Sequence, residues 1–486
     1  MAHDRLADEG VGERLSDAEA LMWRLGATDA RLRPTITVVA VLDSSPGVEA
    51  VAERAVALTR HAPRFAARVV PPLTSLAPPR LVPDDQFDLS AHVRVVAAPG
   101  AGTLDDVLAL AGPMAADGLD PSRPLWQFTL VEGMAGGRAA LVVRVHHALT
   151  DGVGALALAA VLFGAPADTP AGPGSAGAVG PGRAEGGLAA AVERLADDLA
   201  GEVAAGVRVL RRGAPLAAGL LRRAVGDPAG APAAAASVVA TARSVVTAAG
   251  LDAAPCSPTM TARSASVVLG HLEVDLTAVR RAGAAAGGAT VNDVFVFAVL
   301  EGFRRYHAKH GTRPAALRVA VPVNLRSRPG DRPDTDGDAG DLGGNAFFPA
   351  RVVLPLGHPD PATAMAAVHD AVAAARAEPA VGLTEPLAAA VARLPGGDAL
   401  VARALGAVDV ITSNVAGSPV PLELAGAQVQ ALIPFGPRSG AGCNVTTLSY
   451  AGTLHVGVNL DPAATPDTAT LLDCLAGAFS DTVGAP

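Results

Sequence analysis

The residues best suited to catalysis are two adjacent histidines, His146 and His147, which are followed by Asp151 and Gly152. An imidazole that is neutral near pH 7 can remove the proton from a hydroxyl group and so make the oxygen a nucleophile. A carboxylate can hold such an imidazole in place, and a glycine permits a tight turn between the two groups. The spacing therefore predicts general-base activation of a hydroxyl group by this pair of histidines.

An apolar strand and the turn after it must position these histidines. Residues 139–145 are apolar except for Arg144 and predict a buried β-strand that ends at the histidine pair. Residues 133–138 predict a turn, and residues 124–131 predict the first strand of the resulting hairpin. The apolar run at residues 153–163 predicts a helix directly afterwards. The histidines are thus expected where a strand leaves its sheet.

Local signals define further elements. Ser16, with Glu19 three residues later, predicts a capping box at the start of the first helix. Thr290 predicts the cap of a long helix that reaches residue 310. The β-branched run at residues 35–42 predicts a strand, and the proline-rich residues 71–83 predict a loop.

The composition limits the class of protein. The 486 residues exceed what one hydrophobic core usually contains, so we expect two domains. Hydrophobic residues make up 50%, and the net charge of −9 argues against a nucleic-acid partner. The scattered Cys256, Cys443 and Cys474 predict neither a zinc site nor a disulfide framework, which fits a reducing cytoplasm. We find no signal peptide and no membrane-spanning run, although the mean hydropathy of +0.35 permits contact with a membrane surface.

Composition also divides the chain into three segments. Residues 1–164 and 262–486 contain predicted strands and helices in similar order, which indicates two related α/β lobes. Residues 165–261 form an Ala/Gly/Pro-rich linker between them. Within this linker, apolar residues recur every three or four positions over residues 188–210 and predict an amphipathic helix. Packing of this helix across the two domains is the preferred interpretation, and contact with a membrane surface is the alternative.

Three motifs together resemble one enzyme family. Residues 146–152 read HHALTDG and match HHxxxDG, the motif of the CoA-dependent acyltransferase superfamily, which includes chloramphenicol acetyltransferase and peptide-synthetase condensation domains. Pro124-Leu125-Trp126 and Asn292-Asp293 resemble the PLW and ND motifs of the bacterial wax ester synthase/diacylglycerol acyltransferase family. The resemblance covers nearly the whole chain, so the sequence is identified as similar to that family.

Other stretches extend this resemblance, and two depart from it. Similar segments occur at residues 15–43, 87–94, 343–345, 354–355, 413–415 and 449–452. The family's Asn-Val-Pro-Gly-Pro loop is Asn-Val-Ala-Gly-Ser-Pro at residues 414–419, and its basic, Asn-Gly-containing segment is reduced at residues 257–263. Both departures concern substrate preference more than fold.

The resemblance implies a fold and a reaction. The fold is two chloramphenicol-acetyltransferase-like α/β lobes, with mixed sheets flanked by helices and an active-site tunnel between the lobes. The reaction transfers a long-chain acyl group from acyl-CoA, the co-substrate, to diacylglycerol or a long-chain alcohol and yields triacylglycerol or a wax ester. It needs no metal or other cofactor. These substrates imply a cytoplasmic protein that associates peripherally with membranes or lipid droplets.

Two alternatives share part of the pattern. A condensation or polyketide-associated acyltransferase also contains HHxxxDG but takes its acyl group from a carrier-protein thioester, and it does not require PLW and ND together. A catalytically inactive lipid-binding homologue would not need the motif that residues 146–152 retain. Turnover of acyl-CoA without a carrier protein would distinguish both from the expected enzyme.

Within the HHxxxDG motif, the residues are expected to take different roles. His147 is the candidate general base, and His146, on the other side of the strand, is its structural support. The resemblance implies that Asp151 braces the turn through an ion pair, for which Arg326 is one candidate partner. Gly152 permits the tight backbone of the turn.

Five residues outside that motif are candidates for binding substrate or shaping the site. Asn292 and Asp293 begin a predicted helix, where they either cap the helix or form the active-site face of the second lobe. Ser413 and Asn414 end a strand predicted at residues 408–414, where they either form a turn or donate hydrogen bonds to an oxyanion or to CoA. Trp126 is expected in the core rather than in contact with substrate.

Overall fold

The protein has a mixed α/β architecture, as the sequence predicts. A computed structural model describes residues 12–73, 77–150, 159–164, 256–324, 347–357, 360–377 and 396–484. Within these residues, two six-stranded mixed sheets and a three-stranded sheet are flanked by helices. In the same part of the chain, no helix combines the length and the apolar character needed to cross a membrane. The predicted amphipathic helix at residues 188–210, Asp151, Gly152 and Arg326 lie outside the described residues.

The N-terminal elements end at the histidine pair. In chain order they are β1 (Glu13–Arg14), α1 (Asp17–Thr28), β2 (Thr35–Leu42), α2 (Val48–His61), β3 (Ala67–Val70), β4 (Arg80–Pro83), β5 (Val93–Ala97), α3 (Leu104–Ala116), β6 (Trp126–Glu132) and β7 (Ala139–His146). The predicted strand at residues 35–42 and the predicted hairpin of β6 and β7 are confirmed.

The C-terminal elements follow the linker. In chain order they are β8 (Val268–Asp275), α4 (Leu276–Ala285), α5 (Val291–Lys309), β9 (Ala316–Asn324), β10 (Phe347–Pro355), α6 (Pro361–Arg376), α7 (Gly397–Gly406), β11 (Val410–Ala416), β12 (Glu423–Leu424), β13 (Ala427–Phe435), β14 (Cys443–Tyr450), β15 (Thr453–Leu460) and α8 (Thr468–Val483). The apolar faces of α5 and α8 pack on the second six-stranded sheet through Phe295, Phe303 and Phe479.

Local signals predict some of these elements correctly and miss one. Both predicted caps are confirmed, because Ser16 forms a capping box with Glu19 and Thr290 forms one with Asp293. The predicted loop at residues 71–83 is partly wrong, since its last four residues form β4. β4 pairs with β3, and Pro83 at its last position does not interrupt the hydrogen bonds of the strand.

The first six-stranded sheet contains strands from both halves of the chain. Its order is β12-β13-β2-β7-β6-β5. β13 pairs antiparallel with β2, from Val429 opposite Leu42 to Phe435 opposite Thr37. A strand from the C-terminal half therefore completes the sheet that carries the histidines. The division into domains at residues 164 and 262 stays a prediction.

β13 also contacts the second six-stranded sheet, whose order is β10-β9-β11-β14-β15-β8. The Tyr450 hydroxyl of β14 donates a hydrogen bond to the Val429 carbonyl of β13 at 2.8 Å. On β15, a Cβ atom added to Gly457 would lie 1.7 Å from the Pro434 carbonyl oxygen of β13. The backbones of β13 and β15 therefore approach so closely that position 457 accepts no side chain.

We expect Gly457→Ala to lower the free energy of unfolding by about 3 kcal/mol, because the added methyl group must displace β13 from β15. Gly406→Ala is the matched control, since an added Cβ there meets no atom within 4 Å and the residue ends α7. The control is expected to change stability by at most about 1 kcal/mol. Urea denaturation measures both, and equal effects would show that the close approach imposes no constraint.

Candidate active site

Neighbouring strands hold the backbone of both histidines. His146 is the last residue of β7 and lies opposite Thr35 of β2. Its N–H donates a hydrogen bond to the Leu125 carbonyl at 2.9 Å, and the His147 N–H donates to the Pro34 carbonyl at 2.8 Å. The two residues are therefore fixed from opposite sides, by the segments that lead into β6 and β2.

Only one of the two histidine rings is accessible. Of residues 146–150, all of which the structure describes, His147 alone is not buried. The flanking His146 is 8% exposed, and Ala148, Leu149 and Thr150 are at most 2% exposed. The turn thus leaves His147 half-buried, with its Nδ1 buried, while the ring of His146 is closed to a substrate.

The geometry of His146 supports its predicted structural role. Its Nδ1 accepts a hydrogen bond from the Ala148 N–H at 3.1 Å, which closes the turn around His147. Burial, together with the neighbouring His147, lowers the pKa of His146 to about 3. At neutral pH this ring is therefore uncharged, and since Nδ1 accepts, its proton lies on Nε2.

Arg64 holds the same turn from the other side. One of its nitrogens, Nη1, lies 3.3 Å from the Ala148 carbonyl oxygen and 3.0 Å from Glu19 Oε1. The Glu19 side chain is 1% exposed, and its second oxygen, Oε2, accepts the Ser16 N–H at 2.7 Å. Although burial alone would lower the pKa of Arg64, its hydrogen bonds to Glu13 and Glu19 raise that pKa above its ordinary value. Sequence analysis identifies Glu19 only as a capping residue and misses Arg64 altogether.

Trp126 lies in the core, as predicted, and supports Arg64 indirectly. The indole is 1% exposed and stacks on the His92 ring with centroids 4.4 Å apart. Its Nε1–H donates a hydrogen bond to the Phe65 carbonyl at 2.7 Å. Because Phe65 directly follows Arg64, this bond fixes the backbone from which the guanidinium extends. The PLW motif therefore positions the turn through Leu125 and Trp126.

The structure assigns Asp293 to the helix cap. Its Oδ2 accepts hydrogen bonds from the backbone N–H and the hydroxyl of Thr290, at 2.9 and 2.8 Å. His369 Nδ1 lies 3.1 Å from the same oxygen. The capping interpretation is thus confirmed for Asp293, while a role of Asp293 and of the half-buried Asn292 in shaping the site stays a prediction.

Ser413 and Asn414 lie within β11, which confirms the strand predicted at residues 408–414 and continues it to Ala416, so the turn that was one of two alternatives does not form at these residues. They are paired in parallel with Thr446 and Thr447 of β14, and the Thr447 hydroxyl donates a hydrogen bond to Asn414 Oδ1 at 3.0 Å. The next residue, Val415, packs on the hydrophobic cluster that contains Leu149. This end of β11 therefore contacts the same core as the turn that follows the histidines.

Comparison with known proteins identifies the family. Residues 15–295 match the family model of the wax ester synthase/diacylglycerol acyltransferase catalytic domain, and residues 343–482 match that of its C-terminal domain. The chain belongs to the wax ester synthase/diacylglycerol acyltransferase family. It is accordingly a CoA-dependent acyltransferase, which acts on acyl-CoA and an acceptor.

Individual members and solved structures agree with this assignment. A putative diacylglycerol O-acyltransferase of Mycobacterium tuberculosis is 32% identical over 482 residues, which cover 98% of this chain and 94% of the relative. A second from that organism is 30% identical over 433 residues, with 84% and 83% covered. The wax ester synthase/diacylglycerol acyltransferase structure from Marinobacter aquaeolei has a TM-score of 0.59 at 20% identity, with 96% and 98% covered. The first condensation domain of the calcium-dependent antibiotic synthetase has the same TM-score at 17% identity, with 98% of each chain covered. These structural matches confirm the predicted fold class.

We expect Arg64→Met to lower the free energy of unfolding by about 3–5 kcal/mol, because it leaves the buried Glu19 carboxylate uncompensated. Adding Glu19→Gln should restore part of this loss, since glutamine keeps the capping box without the charge. Arg31→Met is the control, because its pair with Asp29 is half exposed and worth at most about 1 kcal/mol. Urea denaturation tests this, and a loss no larger than that of the control would contradict the assigned role of Arg64.

We also expect His146 to make stability depend on pH. The unfolded chain binds a proton at His146 below its ordinary pKa of about 6.5, whereas the folded chain resists it down to about pH 3. The free energy of unfolding should therefore fall as the pH is lowered through this range, by up to about 1.4 kcal/mol per unit from this residue. His146→Asn keeps an acceptor for Ala148 but does not titrate. Denaturation curves at several pH values should show a smaller slope for the variant, and identical slopes would contradict the assignment.

Proposed function

We propose that this acyltransferase moves a long-chain acyl group from acyl-CoA to the hydroxyl group of diacylglycerol or of a long-chain alcohol, with His147 as the general base. The observation that carries the proposal is the turn after β7, which buries every neighbour of His147 and leaves this ring accessible. The names of the Mycobacterium tuberculosis relatives and of the Marinobacter structure support the two acceptor classes.

The reaction needs one proton acceptor and one activated carbonyl. As the acceptor oxygen attacks the thioester carbonyl carbon, its proton moves to His147. Hydrogen-bond donors stabilise the negative charge that develops on the carbonyl oxygen of the tetrahedral intermediate. The carbon–sulfur bond then breaks, and the proton on His147 passes to the departing CoA sulfur. The products are an ester and CoA, and no covalent enzyme intermediate forms.

The fixed backbone around His147 supports this role. Hydrogen bonds to Pro34 and from Ala148 and Arg64 hold the turn, so the imidazole starts from a defined position when the two substrates meet. His146 contributes no proton, since its ring is buried and neutral. Asp151 would brace the far end of the turn through an ion pair, and Gly152 would allow the chain to leave it.

Asn292 and Asn414 are the candidates for contacts with substrate on the C-terminal half. The Asn414 amide oxygen accepts from Thr447, which leaves its NH₂ group to donate to an oxyanion or to CoA. The Asn414 side chain is exposed. The end of its strand packs on the core beneath residues 146–150, the turn that carries His147 and is called the histidine turn below. These contacts would lie along a tunnel between the two halves.

The substrates would also place the protein at a lipid surface. Both acceptor classes, and the long acyl chain, partition into membranes or lipid droplets. We therefore propose that the chain works in the cytoplasm and binds such surfaces peripherally. The chemistry requires acyl-CoA as co-substrate and assigns no role to a metal or another cofactor.

Carrier-protein thioesters are less well supported as acyl donors. The condensation domain and the Marinobacter enzyme have the same TM-score to this chain, so fold does not distinguish the two donor classes. Sequence does, because both domain models of the wax ester synthase/diacylglycerol acyltransferase family match. Turnover of free acyl-CoA in the absence of any carrier protein is therefore expected.

We expect His147→Gln to lower kcat by about 10²–10⁴-fold, the usual contribution of a general base, while the fold is retained. His61→Gln, an exposed histidine at the end of α2, is the control and should leave transfer unchanged. The assay offers radiolabelled acyl-CoA with diacylglycerol and hexadecanol in competition and separates the two esters. Near-wild-type transfer by the folded His147→Gln variant would rule out this base, and transfer to neither acceptor would rule out the proposed substrates.

A further inference from the structure

Three side chains of types that can bind metal ions, His271, Glu273 and His455, lie close together on the second six-stranded sheet. β8 and β15 pair antiparallel, with His455 opposite Glu273 and Gly457 opposite His271. His271 and Glu273 lie two residues apart in β8 and therefore share one face of the sheet with His455. Gly457 has no side chain, and the Pro434 carbonyl of β13 fills the space above it, so β13 bounds this group of side chains on one side.

Their atoms are close enough to share one ion. His271 Nε2 and His455 Nδ1 are 3.3 Å apart, and Glu273 Oε1 lies 3.9 Å from the first and 3.7 Å from the second. Both rings are nearly buried, with side-chain exposures of 7% and 3%, whereas the Glu273 side chain is 57% exposed. The cluster therefore has two fixed ligands and one adjustable ligand on its open side.

A shared proton alone accounts poorly for this arrangement. A neutral imidazole has one N–H and one lone pair, so the 3.3 Å contact between the rings holds at most one hydrogen. That hydrogen joins the two rings only, because Glu273 Oε1 lies 3.9 and 3.7 Å from their nitrogens, beyond hydrogen-bond distance. Burial, with a further contribution from His455 in the case of His271, lowers the pKa of each histidine to about 4. A neutral imidazole also offers a ring-nitrogen lone pair to a metal ion.

We propose that His271, Glu273 and His455 form a binding site for a divalent transition-metal ion, of which Zn²⁺ fits best. Two Zn–N bonds of about 2.0–2.1 Å at a tetrahedral angle place their nitrogens about 3.3–3.4 Å apart, which matches the two rings. A small rotation of the exposed Glu273 side chain brings its oxygen within reach. Three protein ligands leave one position for water or another small ligand. The ion would join β8, the edge strand, to β15 and so stabilise the sheet.

Zinc titration of the full-length protein tests the site. The chain is freed of any purification tag and of metal with EDTA, and ZnCl₂ is added in a calorimeter and in a thermal melt. We expect saturable binding of one ion per chain and a rise in the melting temperature with zinc. Co²⁺ should give the visible absorption bands of a four-coordinate site with nitrogen and oxygen ligands.

Substitutions distinguish this site from adventitious binding. Glu273→Gln changes an exposed side chain and should preserve the fold, and it should weaken zinc binding at least tenfold, since even outer-shell partners of metal-bound histidines are worth about 10–100-fold. His271→Gln should have a similar effect. His310→Gln is the matched control. His310 also lies near a carboxylate, 3.8 Å from Asp467, but among the described residues it belongs to no group of three metal-binding side chains.

Other outcomes would overturn the proposal. Binding that does not saturate at one ion per chain would show surface association only. Saturable binding that survives Glu273→Gln and His271→Gln would place the ion elsewhere. Loss of binding in His147→Gln, with both of those variants unaffected, would move the ion to the histidine turn. Because zinc affinity is measured without substrates, the result does not depend on the proposed acyl transfer.

Discussion

The position of β13 is the constraint on which the rest of the structure depends. Its main chain completes the first six-stranded sheet by pairing with β2, and its other contacts are with β14 and β15 of the second sheet. The bond from Tyr450 to Val429 and the absence of a side chain at Gly457 permit both contacts at once. The main chain of β13 therefore contacts both sheets, which leaves them little freedom to slide past each other. The end of β2 that holds His147 and the end of β11 that carries Asn414 keep their relation because of this junction.

Around His147, the polar interactions stabilise the backbone rather than the ring. A series of contacts runs from the Trp126 indole through Phe65 to Arg64, and from Arg64 to the carbonyls of the turn. The charge of Arg64 is balanced by Glu19, which also caps α1. Buried ionic groups contribute little net stability, but breaking such a set is costly, so the set specifies one conformation. A fixed turn with one accessible imidazole is the arrangement that proton transfer between two bound substrates requires.

Features encoded by neighbouring residues could be predicted from sequence, and features that join distant segments could not. The strand to His146, the capping box at Ser16, the cap at Thr290 and the core position of Trp126 follow from local patterns. The family resemblance added the reaction class. By contrast, 84 residues separate Arg64 from Ala148, and 184 separate His271 from His455. No periodicity relates such pairs, because they meet only when strands pair across the fold. The end of the strand predicted at residues 408–414 was missed by two residues for a related reason, since pairing with β14 extends β11 to Ala416.

The ribosome synthesises β13 long after β2, and this delay affects folding during synthesis. The hydrogen bond from the Gln428 N–H to Asp43 joins residues 385 positions apart in the chain. At a synthesis rate of about 5–20 residues per second, about 20–80 s pass after the synthesis of β2 before β13, its second partner strand, exists. During that time the edge of β2, a run of apolar and β-branched residues, presents unpaired backbone groups. The junction that makes the finished enzyme rigid therefore leaves an apolar strand edge of the nascent chain uncovered during this interval.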